Sequence, residues 1–83
     1  MKKTDGGPIY LPIACDIYSE LEAAIMHQRR LKLMWHEGNV CFAQQVMPLD
    51  LQTQAGEEFL HVLLPSGERT RIRLDRLQRI EPA

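Results

Sequence analysis

From Asp16 onward the apolar residues Ile17, Leu21, Ala24 and Ile25 recur at helical spacing, and after Arg30 the rhythm changes to alternation. Side chains three and four residues apart share a helix face, whereas those two apart share a strand face. The pattern therefore predicts one helix, residues 16–29, followed by strands. Asp16 suits the start of that helix, because its carboxylate can accept from N–H groups that the first turn leaves unpaired. Ser19 and Glu22 form an S-x-x-E pair, which allows a start three residues later. Arg29 and Arg30 close the segment, where cations favour the negative end of the helix dipole.

In the alternating part, Leu31, Leu33 and Trp35 fall on one strand face, Glu37-Gly38-Asn39 reads as a turn, and Val40, Phe42 and Val46 continue in a second strand. Pro48 interrupts that strand, and the polar stretch from Leu49 to Glu58 reads as a loop or a bent strand extension. "FLHVLL", from Phe59, is a third strand, and Pro65 to Glu68 is the next turn. Then Thr70, Ile72 and Leu74 face one way and Arg69, Arg71 and Arg73 the other. Asp75 to Leu77 fits one tight turn before a last short strand, Gln78 to Ile80.

One helix and five short strands, mostly joined as hairpins, predict a mainly β protein. The expected architecture is a small, strongly bent antiparallel barrel with the helix over an open end, the alternative being a helix on an open sheet. Leu33, Trp35, Phe42, Phe59, Leu63, Ile72 and Leu74 are assigned to the core. Met26, Met34 and Met47 are expected to fill gaps, and His36 and His61 to be structural.

A length of 83 residues allows one domain. Residues 1–8 read as a flexible tail, polar and holding Gly6-Gly7, and residues 9–83 as the domain. With 45% hydrophobic and 25% charged residues the mixture is that of a folding globular chain. No apolar run approaches the roughly 18 residues that span a bilayer, and no apolar stretch follows the N-terminal lysines, so the expected location is the cytoplasm. Cys15 and Cys41 are too few for a disulfide framework and are expected to be reduced, partly buried thiols. Neither they nor His27, His36 and His61 show metal-ligand spacing, and no metal or other cofactor is expected. Nor does the chain carry a glycine-rich phosphate loop, a G-x-S-x-G turn, an H-E-x-x-H helix or a paired-carboxylate motif, so no enzymatic activity is expected.

The net charge of −1 hides a segregation. Two lysines face four acids in residues 1–28, three bases face one acid in 29–49, four acids stand without a base in 50–68, and five arginines face two acids in 69–83. Separate acidic and basic patches can steer partners even when the average is neutral.

Tyr10, Pro12, Ile13, Cys15, Asp16 and Tyr18, in the order Y-x-P-I-x-C-D-x-Y, are followed by Leu21-Glu22 and by Arg73-Leu74-Asp75. Together with the block from Gly67 to Asp75, this pattern resembles the Rho-binding antiterminator family, Rof or YaeO. The similarity runs from about Tyr10 to Ile80; it is poor between Val46 and Glu58, and at Ile17 and Ser19 a family member carries acids. The resemblance implies an Sm-like small five-stranded antiparallel barrel preceded by one helix. It also implies binding to the hexameric transcription terminator Rho, through Rho's N-terminal RNA-binding domain, so that RNA cannot engage and termination is inhibited. A monomer is expected.

Rho's RNA site must offer cations and stacking surfaces to a pyrimidine-rich strand, so carboxylates beside an aromatic ring can compete for it. The expected partner-binding residues are Asp16, Tyr18, Ser19, Glu20 and Glu22. Asp16 and the early glutamates also suit capping and dipole chemistry, and one residue can serve both roles. A second reading gives Arg69, Arg71, Arg73 and Arg76, with Arg79 nearby, a phosphate-binding role in an Sm-like RNA-binding module. Glu57, Glu58, Glu68, Asp75 and Glu81 balance that stripe, and no aromatic residue interleaves with it in sequence, so direct nucleic-acid binding is the lesser expectation.

Overall fold

The computed structural model describes residues 15–83. The tail expected at residues 1–8 lies outside them. The described chain is one helix, α1 (Cys15–Met26), followed by β1 (Leu31–Glu37), β2 (Val40–Gln54), β3 (Glu57–Leu63), β4 (Arg69–Arg73), a 3₁₀ turn (Leu74–Arg76) and β5 (Leu77–Pro82).

The helix ends at Met26, three residues before the expected limit. Gln28 takes a left-handed φ of 53°. Its N–H then donates to Ile25 O at 3.2 Å, and Arg29 N–H donates to Ala24 O at 2.9 Å. This pair of bonds is a Schellman closure, which satisfies carbonyls that the last turn would leave open. Arg29 and Arg30 therefore stand just beyond the helix. At the other end the helix is already formed at Cys15, so Asp16 lies inside the first turn and its Oδ1 accepts from Ile17 N–H at 2.9 Å. Ser19 and Glu22 are mid-helix, and the later start they would have capped is not used.

β2 is the spine of the sheet. Its first half pairs antiparallel with β1, from Glu37↔Val40 to Leu31↔Val46. Its second half pairs with β3, from Met47↔Leu63 to Gln54↔Glu57. The change of partner falls at Pro48, with a bulge between Pro48 and Asp50. A proline donates no ladder bond and a bulge bends its strand, so the sheet folds sharply there without ending. Of the two readings for residues 49–58, the bent strand extension is the one the fold adopts. Ala55 and Gly56, with φ of 53° and 78°, make the two-residue turn into β3, and positive φ at both positions is the hairpin-compatible type I′ geometry.

The strand order is β4-β3-β2-β1-β5. β4 and β5 do not pair, so the barrel is a strongly bent open sheet, and the 3₁₀ turn spans the gap between its two edges. Arg73 Nε donates to Asp75 Oδ1 and Nη2 to Asp75 Oδ2, both at 2.7 Å, while Nη1 stands 3.4 Å from Glu57 Oε2. This cluster ties β4 across the turn and back to β3. β5 runs longer than the expected three residues because it pairs along most of β1, from Leu31↔Pro82 to Trp35↔Leu77.

Leu21 and Ala24 of α1 close a core made by Leu31, Leu33, Trp35, Val46, Leu60, Val62, Ile72 and Leu74. Trp35 stacks on Phe42 with ring centroids 5.3 Å apart. Phe59 is buried as expected, whereas Phe42 and Leu63 are half-buried. Two expectations are corrected. Met26 is 76% exposed and fills no gap, because it lies on the outer side of the last helical turn. Cys15 and Cys41 are both exposed thiols, one at the helix start and one on the open face of β2. His61 is structural in the expected sense: its Nε2 and Gln52 Oε1 are 2.6 Å apart across the β2–β3 ladder. Among the described residues no helix is long and apolar enough to cross a membrane.

Candidate partner-binding surface

Leu21 and Ala24 fix how α1 is turned, and the five candidate residues on it diverge as a result. Asp16 and Ser19 point outward and are exposed. Glu20 falls on the flank towards β5, where it and Ile17 border a groove of about 280 Å³ with Leu77, Arg79 and Ile80. Tyr18 and Glu22, one turn apart, fall on the opposite flank, towards β2.

On that second flank Tyr18, Glu22, Ile25 and Met26 meet Asp50 and Leu51 around a groove of about 440 Å³. Tyr18 is half-buried against the core. Its phenol is held above the ordinary tyrosine range, first by burial, then by the charges of Glu58 and Glu22. The hydroxyl therefore stays protonated and sits in a negative field. Asp50 and Glu58 come from the segment Val46 to Glu58, in which no binding residue was assigned from sequence. The signal for them was present in sequence: Leu49, Leu51 and Thr53 keep the strand alternation going past Pro48, and Ala-Gly is a two-residue turn candidate.

Asp16, Glu20, Glu22 and Asp50 are exposed, and none forms an ion pair within the described residues. Asp50 Oδ1 accepts from Leu51 N–H at 2.9 Å, which leaves its second oxygen directed elsewhere. The basic side differs. Arg73 was expected on an exposed stripe with Arg69 and Arg71, but it is only 9% exposed and bound to Asp75 and Glu57. It turns inward because β4 ends there and the chain coils into the 3₁₀ turn. Arg71 donates to Gln54 Oε1 at 3.0 Å, and its guanidinium lies 3.9 Å from the Phe59 ring centroid. An aromatic partner thus exists, although it lies one strand away rather than between the arginines in sequence. Arg69 is exposed beside Leu49, Asp50 and His61, Arg76 is half-buried, and Arg79 pairs with Glu81 at 2.7 Å. No group of three or more His, Cys, Asp or Glu side chains converges as for a metal among the described residues.

A helix laid on a bent five-stranded antiparallel sheet, with carboxylates displayed along the helix, defines the chain as a small helix-plus-sheet domain. The same fold occurs in a solved structure, proteasome accessory factor B/C (PafBC) of Arthrobacter aurescens, with a TM-score of 0.77 at 22% identity. That match covers 93% of this chain and 12% of the other, so this chain spans about an eighth of that protein. A comparison with curated protein sequences gives no match. The chain belongs to the ROF family, the modulators of Rho-dependent transcription termination, whose profile matches residues 12–83. Its role is accordingly regulatory, in Rho-dependent transcription termination.

Proposed function

We propose that this chain binds the N-terminal RNA-binding domain of Rho in the cytoplasm and keeps RNA from that site, α1 providing the contact. The observation that carries this reading is the set of exposed carboxylates on α1, Asp16, Glu20 and Glu22, none of them neutralised by a cation of the described chain. A site built to hold phosphates presents cations and aromatic faces, and carboxylates beside the Tyr18 ring meet both requirements. Ser19, exposed between them, adds a hydroxyl able to donate or accept. The chain acts as a monomer, by occupancy and without catalysis.

The arginine reading loses support from the fold. Arg73 is committed to Asp75 and Glu57, and Arg71 is folded onto Phe59 and Gln54. Arg69 and Arg71 are both exposed on β4, but only Arg69 is not held by a neighbouring strand's side chain. The experiment is a competition: purified protein is added to Rho carrying labelled poly-cytidine. Asp16→Asn keeps the acceptor for Ile17 N–H and removes the charge, and Glu22→Lys lies past the capping region. The double variant should lose displacement by at least about 30-fold at an unchanged melting temperature, since two close charge pairs contribute on the order of 1 to 3 kcal/mol each. Displacement at wild-type strength by that variant, or direct binding of poly-cytidine without Rho, would refute the reading.

A further inference from the structure

We infer that the groove between α1 and the second half of β2 receives one long cationic side chain, lysine or arginine, presented by the surface that the chain binds. The inference rests on the Rho-binding reading above and deepens it, because it extends the contact from the helix to Asp50 and Leu51 of β2.

The groove holds about 440 Å³, ample room for one extended side chain. Its floor and walls are apolar where Ile25, Met26 and Leu51 line it. Met26, 76% exposed, carries that apolar lining out to the surface. Carboxylates stand on both sides, Glu22 from the helix and Asp50 from the strand, and neither is ion-paired within the described residues. Glu58 adds to the negative field at Tyr18. Lysine and arginine carry an aliphatic stem below a charged head, and such a side chain is satisfied by an apolar trough ending between carboxylates. Tyr18 also lines the trough and brings an aromatic side chain beside the carboxylates. An anionic or nucleotide occupant is disfavoured by the same charges, and a wholly apolar one would strand Glu22 and Asp50 without water.

The position of the groove on the chain follows from the bulge at Pro48–Asp50. Without it β2 would continue flat away from α1, and Asp50 would not stand opposite Glu22. The trough is thus a product of the bend that builds the fold.

The test uses the full chain, Rho, and the isolated N-terminal RNA-binding domain of Rho as the probe, with affinity measured by titration calorimetry. Asp50→Asn retains an acceptor for Leu51 N–H and removes the charge. It should weaken binding about 10-fold, the loss of one close charge pair, with the melting temperature unchanged. Met26→Gln should weaken it about 3-fold by removing stem contacts. In amide NMR spectra, Tyr18, Leu51 and Glu22 should shift together on titration of the probe. Wild-type affinity for Asp50→Asn, with Glu22→Lys still impaired, overturns this inference and leaves the helix contact standing. Absence of any binding by the wild-type protein overturns the Rho-binding reading itself and this inference with it.

Discussion

Arg73→Met should be among the most damaging single substitutions in the chain, although it removes only one charge. The Arg73 side chain is 9% exposed and the Asp75 side chain 7%, and the two are joined by a bidentate pair with both bonds at 2.7 Å. Burying two charges costs several kcal/mol each, which the pair recovers only while both members are present. Removing Arg73 leaves a buried carboxylate without its fork, at a cost of about 3 to 5 kcal/mol. A chain of 83 residues has a total stability of roughly 4 to 12 kcal/mol, so the variant would be marginal. Urea unfolding followed by the fluorescence of Trp35, the single tryptophan, reads the change directly. With a slope near 1 kcal/mol per molar, the midpoint should fall by roughly 3 M. Arg73→Met combined with Asp75→Leu should recover most of that loss, because an apolar pair of similar volume removes the desolvation cost along with the attraction. A loss below about 1 kcal/mol for the single variant, or a double variant no better than the single one, would show that the cluster is solvated and not a clamp.

The helix end supplies a second expectation. Gln28 occupies the left-handed position of the Schellman closure at φ 53°, so Gln28→Gly should stabilise by about 0.5 to 1 kcal/mol and raise the melting temperature by roughly 4 °C. A lower melting temperature would contradict that geometry. Tyr18 gives the third. Its folded pKa lies above the unfolded value of 10.0, so its contribution to stability is complete below pH 10 and is lost as pH rises through the folded value. In a Tyr10→Phe background, ultraviolet titration should show the remaining phenol ionising above pH 10, and Tyr18→Phe should flatten the alkaline fall in stability; ionisation at or below pH 10 would refute the placement of Glu58 and Glu22 around it.

How far the sequence foretold this molecule depended on how local each signal was. The change of period after Arg30 is local, and it yields the helix and the first hairpin, with Leu31, Leu33 and Trp35 inward as expected. The turn Pro65-Ser66-Gly67 is local too, and Gly67 N–H donates to Leu64 O at 2.9 Å as a tight turn requires. Pro48 left two readings open, because a proline usually ends a ladder; here the strand changes partner at that point and continues as the bent extension. The consequence is a missed half of the groove, since Asp50 and Leu51 reach α1 only through the bend. Arg73 was misplaced for a related reason. Strand alternation puts it outward with Arg69 and Arg71, and only the adjoining 3₁₀ turn, together with Asp75 two residues on, draws it in. The Arg73-Leu74-Asp75 block that helps mark the family is therefore a structural lock.

That internal pairing decides which charges reach a partner. Of the five arginines in residues 69–83, Arg73 is neutralised by Asp75 and Glu57, and Arg79 is paired with Glu81, whereas Asp16, Glu20, Glu22 and Asp50 keep their charge at the surface. A formal charge of −1 thus understates the negative field in front of α1. Exposed charges act over a Debye length of about 8 to 10 Å near physiological salt and about 3 Å at 1 M, so the field should speed the first encounter with a basic partner and fade as salt is added. The association rate with Rho's RNA-binding domain, measured by stopped-flow fluorescence, should fall at least about 10-fold between 50 mM and 500 mM sodium chloride, with a smaller change in the dissociation rate. Arg69→Gln with Arg71→Gln takes the formal charge from −1 to −3. If the acids steer, that variant associates as fast as the wild type or faster, and its salt dependence steepens. If the arginines form the contact, it associates more slowly and the salt dependence flattens, which would reverse the assignment of the binding face from α1 to β4.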